Sequence, residues 1–226
     1  DKIEQKIGQD VSFEKKIEEL KSTYLNSKDS YIKAAQDLSI ERSKASKKMS
    51  DKINNYLYEM DMPEAKIEVV LKKSDVYKET GLDNCEFYCI TNKGEKMKPL
   101  KEIASGGEIS RIMLAINLVM QKSTNNTLLF DEVDSGISGA TASNIGELIQ
   151  KLSKFKQLII VTHLPQIASK ADFHLFAYKV KDKERVKSVV KKLDKNHHEL
   201  EIARMLSGKK ITNYSVKQAR EIISDG

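Results

Sequence analysis

The 226-residue sequence has no tryptophan, two cysteines, three prolines and ten glycines. Each scarcity excludes something. So little glycine and proline rules out collagen-like, mucin-like and linker compositions. Cys85 and Cys89 stand without a framework of other cysteines, which fits a reducing cytoplasm better than a secreted disulfide scaffold. No apolar run approaches the ~20 residues that a spanning helix needs, so no membrane partner is expected. The opening Asp1-Lys2-Ile3-Glu4 is neither a signal peptide nor an initiator methionine, and the expectation is a soluble piece of a longer protein.

What the chain has in quantity is charge. Hydrophobic residues make up 39% and charged residues 32%, which still leaves enough apolar side chains to bury a core and argues against wholesale disorder. The net charge of +6 is unevenly placed: residues 1–60 carry 12 basic and 11 acidic side chains, residues 61–178 carry 14 and 15, and residues 179–226 carry 13 and 7. A basic end of that kind attracts nucleic acid through counterion release, or is simply a solvated lysine-rich face, and composition alone favours the second.

Residues 1–60 contain no proline and one glycine, and apolar or aromatic residues step by three and four through Ile17, Leu20, Tyr24, Tyr31, Ala34, Leu38 and Ala45. This heptad-like seam is interrupted at Ser27, Glu41 and Lys48, and a later stripe, Met49, Ile53, Leu57, Met60, drifts by fours. A continuous helix of roughly 55 residues would be about 80 Å long, and one this polar is marginal alone. The spacing predicts one strand of a coiled-coil arm over residues 1–60, in preference to a surface helix packed on its own domain.

Met62-Pro63 closes the helix, and over residues 61–226 the period changes to that of an α/β domain. Ala65–Leu71 and Cys85–Thr91 read as strands joined by a polar loop holding Gly81, with both cysteines on one strand face as buried thiols. A basic loop, Lys93, Lys96, Lys98 and Lys101, leads to Ser105-Gly106-Gly107-Glu108 and a helix over Ile109–Lys122. Thr127–Phe130 is a continuous apolar run of the kind buried on both faces of a parallel sheet, and it ends in Asp131-Glu132. The tight turn beginning Asp134-Ser135-Gly136, a helix over Ala140–Lys154 and a second apolar strand, Gln157–Val161, follow, the last ending in Thr162-His163. After Pro165 opens a short helix, Phe173–Val180 and Arg185–Leu193 read as strands and Leu200–Leu206 and Val216–Ile223 as helical. His197-His198 lacks a third ligand at a metal-binding spacing and reads as a solvated helix start.

Ligands of a parallel sheet collect beyond the carboxyl ends of its strands, where Asp131, Glu132 and His163 are placed. An acid there can hold Mg²⁺ against phosphate oxygens, a second can orient or deprotonate an attacking water, and a histidine at the neighbouring strand end can sense the phosphate. Ser105-Gly106-Gly107-Glu108 opening a helix is an anion site, since the helix dipole and unpaired N–H groups face the ligand and glycine lets backbone approach closely. Each feature has a plainer reading: two solvated acids, and an ordinary capping box made by Ser105 and Glu108. Their combination in one order carries the argument.

That order resembles the C-terminal half of an ABC-type ATPase head of the SMC-like chromosome and repair proteins, and more narrowly a bacterial DNA-repair branch of them. The resemblance is carried by Ile103-Ala104-Ser105-Gly106-Gly107-Glu108-Ile109-Ser110-Arg111, by Phe130–Gly139, by Thr162–Ala168 and by Ala203-Arg204-Met205-Leu206-Ser207-Gly208. It implies the C-terminal lobe of a P-loop NTPase fold, with a largely parallel sheet and flanking helices, preceded by a long coiled-coil helix. It implies that Ser105, Gly106, Gly107 and Glu108 form the signature motif, Asp131 is the Walker B magnesium acid, Glu132 the hydrolytic base, Asp134 part of the nucleotide-contacting D-loop and His163 the switch histidine. Implied with these are ATP and Mg²⁺ as cofactors, DNA as a partner, ATP shared between two copies of the head, and double-strand-break repair in the bacterial nucleoid.

One departure matters. No Gly-x-x-x-x-Gly-Lys-[Ser/Thr] occurs; the Gly208-Lys209 pair has Ala203 at the first glycine position and Lys210 at the hydroxyl position. In the family this loop lies in an N-terminal lobe across the coiled-coil arm, so the chain alone is expected to bind ATP weakly and not to hydrolyse it. Two other readings stand beside this one: the same half of another SMC-like head, and a non-enzymatic coiled-coil module binding DNA or protein. A hydrolase elbow is excluded, because Gly136-Ile137-Ser138-Gly139 lacks the Gly-x-Ser-x-Gly spacing.

Overall fold

The computed structural model of the chain describes residues 2–121, 126–182, 185–208 and 210–224. Asp1, Lys122 and Lys209, which enter the sequence reading, lie outside them. By contacts the chain divides into two compact units, residues 1–49 with 68–87 and residues 50–67 with 88–226.

The first unit is the greater part of helix α1 (Lys2–Glu59) with most of strands β1 (Lys66–Lys78) and β2 (Gly81–Ile90). The segment expected to be a polar loop is largely strand, because a sheet covered on one side can carry polar residues on the other. What the strands cover is a hydrogen-bonding stripe of α1. The Tyr31 hydroxyl donates to the Lys78 carbonyl at 3.0 Å and accepts the Lys78 N–H at 3.1 Å, and its ring meets Tyr77 edge-on. Asp83 is buried and accepts from Ser39 Oγ at 2.9 Å and Arg42 Nη1 at 3.4 Å. Ala35 is buried, whereas Ala34, Leu38 and Ala45 of the expected seam are exposed, as are Ile17, Leu20 and Tyr24. Polar partners on the strands select a stripe that takes in Tyr31 of the seam and leaves most of the seam exposed.

In the second unit the end of α1 contributes Ile53, Leu57 and Met60, all fully buried. Asn54 holds the chain beyond the helix by donating to the Ile67 carbonyl and accepting its N–H, at 3.1 and 2.7 Å. The end of β2 pairs antiparallel with β3 (Lys98–Pro99), Cys89 opposite Lys98. Cys89 is buried, and burial raises its thiol pKa, but Cys85 is exposed, correcting the expectation of two buried thiols. β2 is buried at Gly81 and Asp83 and again at Cys89, and exposed at Asn84 and Cys85 between them.

A single 3-10 turn at Leu100–Glu102 precedes α2 (Gly106–Met120), β4 (Thr127–Phe130), α3 (Gly139–Ser153), β5 (Gln157–Ile160) and α4 (Pro165–Ala168). β6 (Leu175–Asp182) and β7 (Arg185–Lys192) form a separate antiparallel ribbon, and α5 (Lys195–Ser207) packs on α6 (Asn213–Ser224) through Ile202, Ala203 and Ala219. The expected parallel pairing is found between β4 and β5, in register from Thr127 opposite Gln157 to Phe130 opposite Ile160; β2 with β3 and β6 with β7 pair antiparallel. Both strands were expected to be covered on two faces. One face is instead open: Leu129, Ile159 and Val161 are 65%, 47% and 52% exposed, while Phe130 on the other is buried.

Of the two C-terminal histidines, one fits the expected solvated helix start and the other does not. His197 is solvated and pairs with the cap residue Asp194. His198 is half-buried, its Nδ1 2.8 Å from Nδ1 of His174. Among the described residues no helix is long and apolar enough to cross a membrane.

Candidate functional site

Two adjacent strand ends and one helix start make the site. Val161 donates its N–H to the Phe130 carbonyl at 2.9 Å, so β4 and β5 remain paired up to the residue before each polar end. Asp131-Glu132 leaves one strand and Thr162-His163 the other, which places the two sequence-predicted clusters side by side.

α2 enters from the same direction. Ser105 is its N-cap, with Oγ accepting the Glu108 N–H at a long 3.5 Å. One turn on, Ser110 Oγ donates to the Asp131 carbonyl at 2.6 Å, tying α2 to the end of β4. Glu132 has φ +58°, in the left-handed region that non-glycine residues seldom occupy. This kink turns its side chain back over α2: a Cβ built on Gly106 would stand 2.3 Å from Glu132 Oε2. At Gly107 the crowding is with the turn itself, at 2.9 Å from Ser135 Cβ and 3.1 Å from the Glu132 carbonyl oxygen. The paired glycines are thus sites of close approach between α2 and residues 132–135.

Asp134, expected to touch nucleotide, points inward and is 3% exposed. Its Oδ2 accepts from Thr162 Oγ1 at 2.5 Å, from the His163 N–H at 2.9 Å and from His163 Nδ1 at 3.0 Å. Because a carboxylate can only accept, the pairing assigns the Nδ1 proton to the imidazole and leaves Nε2 facing away. The imidazole itself is 75% exposed. Asp131 and Glu132 are exposed as well.

Arg111 is a residue of this site to which sequence reasoning gave no role. It is buried, donates from Nη1 to the carbonyls of Ser135 at 2.8 Å and Val133 at 3.3 Å, and sets Nε 3.4 Å from Met62 Sδ. Burial lowers its pKa, with Glu108 and Asp134 opposing that shift. The signal available in the sequence was a lone cation on a helix otherwise apolar on that side, four residues after Gly107.

The donor set suits a hard cation only in part. Among the described residues no group of three His, Cys, Asp or Glu side chains could hold a metal. Asp131 offers an exposed carboxylate at a strand end, which fits a magnesium ion that keeps most of its water and phosphate ligands.

No protein-family model matches the chain. In sequence it is similar to DNA repair protein RecN of Rickettsia prowazekii (strain Madrid E), at 38% identity over 86% of this chain and 35% of that protein. It is also similar to DNA repair protein RecN of Vibrio cholerae serotype O1, at 34% identity over 85% and 35%, and of Bacillus subtilis (strain 168), at 35% identity over 98% and 41%. The chain spans between a third and two-fifths of the length of these relatives. In structure it resembles the Smc head domain with a coiled coil and joint from Pyrococcus yayanosii, with TM-score 0.51 and 20% identity over 75% of this chain and 30% of that one. The fold is that of part of an SMC head.

Proposed function

We propose that this chain is the C-terminal portion of a RecN-like ATPase of the SMC-like family, acting in DNA double-strand-break repair and recombination at the bacterial nucleoid. Residues 1–60 serve as one strand of a coiled-coil arm and residues 61–226 as the C-terminal lobe of the head. The observation that carries this reading is the convergence of three elements: the start of α2, the acidic end of β4 and the histidine-bearing end of β5. They are held together by the Ser110–Asp131 and Asp134–His163 contacts, and Glu132 lies close over Gly106.

In this arrangement the Ser105 hydroxyl and the first amides of α2 receive the γ-phosphate of ATP carried by an opposing head, where helix dipole and unpaired N–H groups favour an anion. On the P-loop side of a shared site, Asp131 would hold a magnesium ion, which would supply neutralisation of phosphate charge. Glu132 accepts the proton of the attacking water, and His163, with Nδ1 fixed on Asp134, presents Nε2 toward the phosphate. Gly107 and Arg111 couple the two functions, since both press the signature helix against residues 132–135. Binding of ATP then closes two heads together and hydrolysis releases them.

The cradle for the β- and γ-phosphates belongs to a P-loop lobe that this sequence does not supply. The open face of β4 and β5, with Leu129, Ile159 and Val161 exposed, gives such a lobe an apolar surface to cover. The chain by itself should therefore bind ATP weakly and turn over none. Co-expression with the P-loop lobe of the same protein tests the whole reading. ATPase activity should emerge on reassembly and fall by orders of magnitude in Glu132→Gln. Turnover by the 226-residue chain alone, abolished by that substitution, would overturn the shared-site reading.

A further inference from the structure

The ribbon of β6 and β7 is not used by the nucleotide site, and its charge is strongly positive. Its two strands carry six basic residues, Lys179, Lys181, Arg185, Lys187, Lys191 and Lys192, against one acid, Asp182. All six are exposed. Cross-strand register puts Lys179, Lys181 and Lys192 on one face, with Val186, Ser188 and Val190, and puts Arg185, Lys187 and Lys191 on the other, so positive charge lines both sides. Each strand has eight residues, and the ribbon pairs with no third strand among the described residues.

We propose that this ribbon is the DNA-contacting surface of the lobe, laid along a duplex groove with its lysines on the flanking phosphates. The inference rests on the reading that DNA is the partner and says where the contact lies. Dimensions and chemistry both favour duplex over an acidic protein segment. Eight residues at about 3.3 Å each extend roughly 26 Å, and a two-stranded ribbon is narrow enough for the major groove, about 12 Å wide. Cations on both faces match a groove with a phosphate strand on either side, whereas a protein strand added to one edge would engage one side only. On the face of Lys179, Lys181 and Lys192 the intervening side chains are small, Ala177, Ser188, Val186 and Val190, which lets that face seat closely, while the other face carries the stacked Phe176 and Tyr178. The ribbon carries no Asn or Gln among its described residues. Adenine readout by a bidentate amide is thereby absent, and the lysines' contacts are assigned to phosphate.

The test is fluorescence anisotropy of the 226-residue chain with a random-sequence 30-base-pair duplex across a salt series. Replacing Lys179, Lys181 and Lys191 by Gln should weaken binding at least tenfold near 0.1 M salt and lower the slope of log K against log salt by up to about 2.7, at about 0.9 per lost phosphate contact. Replacing the same three by Arg should retain binding, which separates charge from folding. Replacement of Lys33, Lys47 and Lys48 on α1 by Gln serves as the charge-matched control. Unchanged affinity in the ribbon variant, or an equal loss in the control, would overturn the ribbon assignment while leaving DNA as partner. Absence of any duplex binding by the unmodified chain would overturn both. Tighter binding of a labelled polyglutamate peptide than of duplex at equal salt would assign the ribbon to an acidic protein instead.

Discussion

Asp134 Oδ2 accepts both the main-chain N–H and the ring Nδ1–H of His163, at 2.9 and 3.0 Å, so one buried carboxylate fixes the position and the tautomer of an exposed imidazole. Replacement by asparagine keeps the volume but presents an amide that can donate as well as accept, which removes the preference for a proton on Nδ1. Asp134→Asn should lower kcat of the reassembled ATPase at least tenfold with little change in KM. Combined with His163→Ala it should add almost nothing to the loss from His163→Ala alone, as expected of two residues acting as one unit. Additive losses in that double-mutant cycle would mean that Asp134 acts on something other than the histidine.

Arg111 reaches the carbonyls of Val133 and Ser135 from a buried position on α2. Arg111→Met fills much of the same space and leaves those carbonyls short of a donor, a cost of about 2 kcal/mol by urea unfolding. Arg111→Lys keeps the charge but lacks the planar fork, and should recover less than half of that loss. Because the same contacts align residues 132–135, both variants should also slow the reassembled ATPase by more than their stability loss explains.

The two glycines that open α2 should separate in urea unfolding. At Gly106 an added methyl meets the mobile end of the Glu132 side chain, which can move aside, so Gly106→Ala should stay within about 1 kcal/mol of the parent. At Gly107 it meets Ser135 Cβ and the Glu132 main-chain oxygen, neither of which can yield without moving the turn. Gly107→Ala should cost about 1–3 kcal/mol in unfolding free energy. Equal effects at both positions would show that the α2–turn contact is looser than its geometry implies.

Much of this was legible from residue order. Ser105 opening a helix, Asp131 and His163 ending adjacent parallel strands, and the stripe Ile53, Leu57, Met60 all follow from local rules of capping and periodicity, which need no knowledge of neighbours. What escaped depends on which neighbour wins. The covered stripe of α1 is set by Asp83 and the Lys78 backbone, which offer hydrogen bonds to Tyr31, Ser39 and Arg42 rather than apolar surface to Ala34 and Ala45. Arg111 is invisible as a buried residue until the turn it bonds is placed beneath it. His198 likewise reads as solvated until β6 brings His174 against it.

That histidine pair gives the second unit a dependence on pH. Burial holds both imidazoles below their ordinary range; His174 presses His198 further down, while Glu201 draws His174 part of the way back. In the folded chain these groups bind protons later, as pH falls, than they do when unfolded. The unfolded state therefore holds more protons in the window between the depressed values and the ordinary imidazole value of about 6.5. Their contribution to stability is complete above about 6.5 and is lost as pH drops through the folded values. Urea midpoints should be level between about pH 8 and 7 and decline below about 6.5. His198→Gln should flatten the part of that decline that the imidazoles cause while leaving the carboxylate-driven loss at lower pH. A decline of the same steepness in His198→Gln and in the parent over that window would show that the pair does not titrate with unfolding.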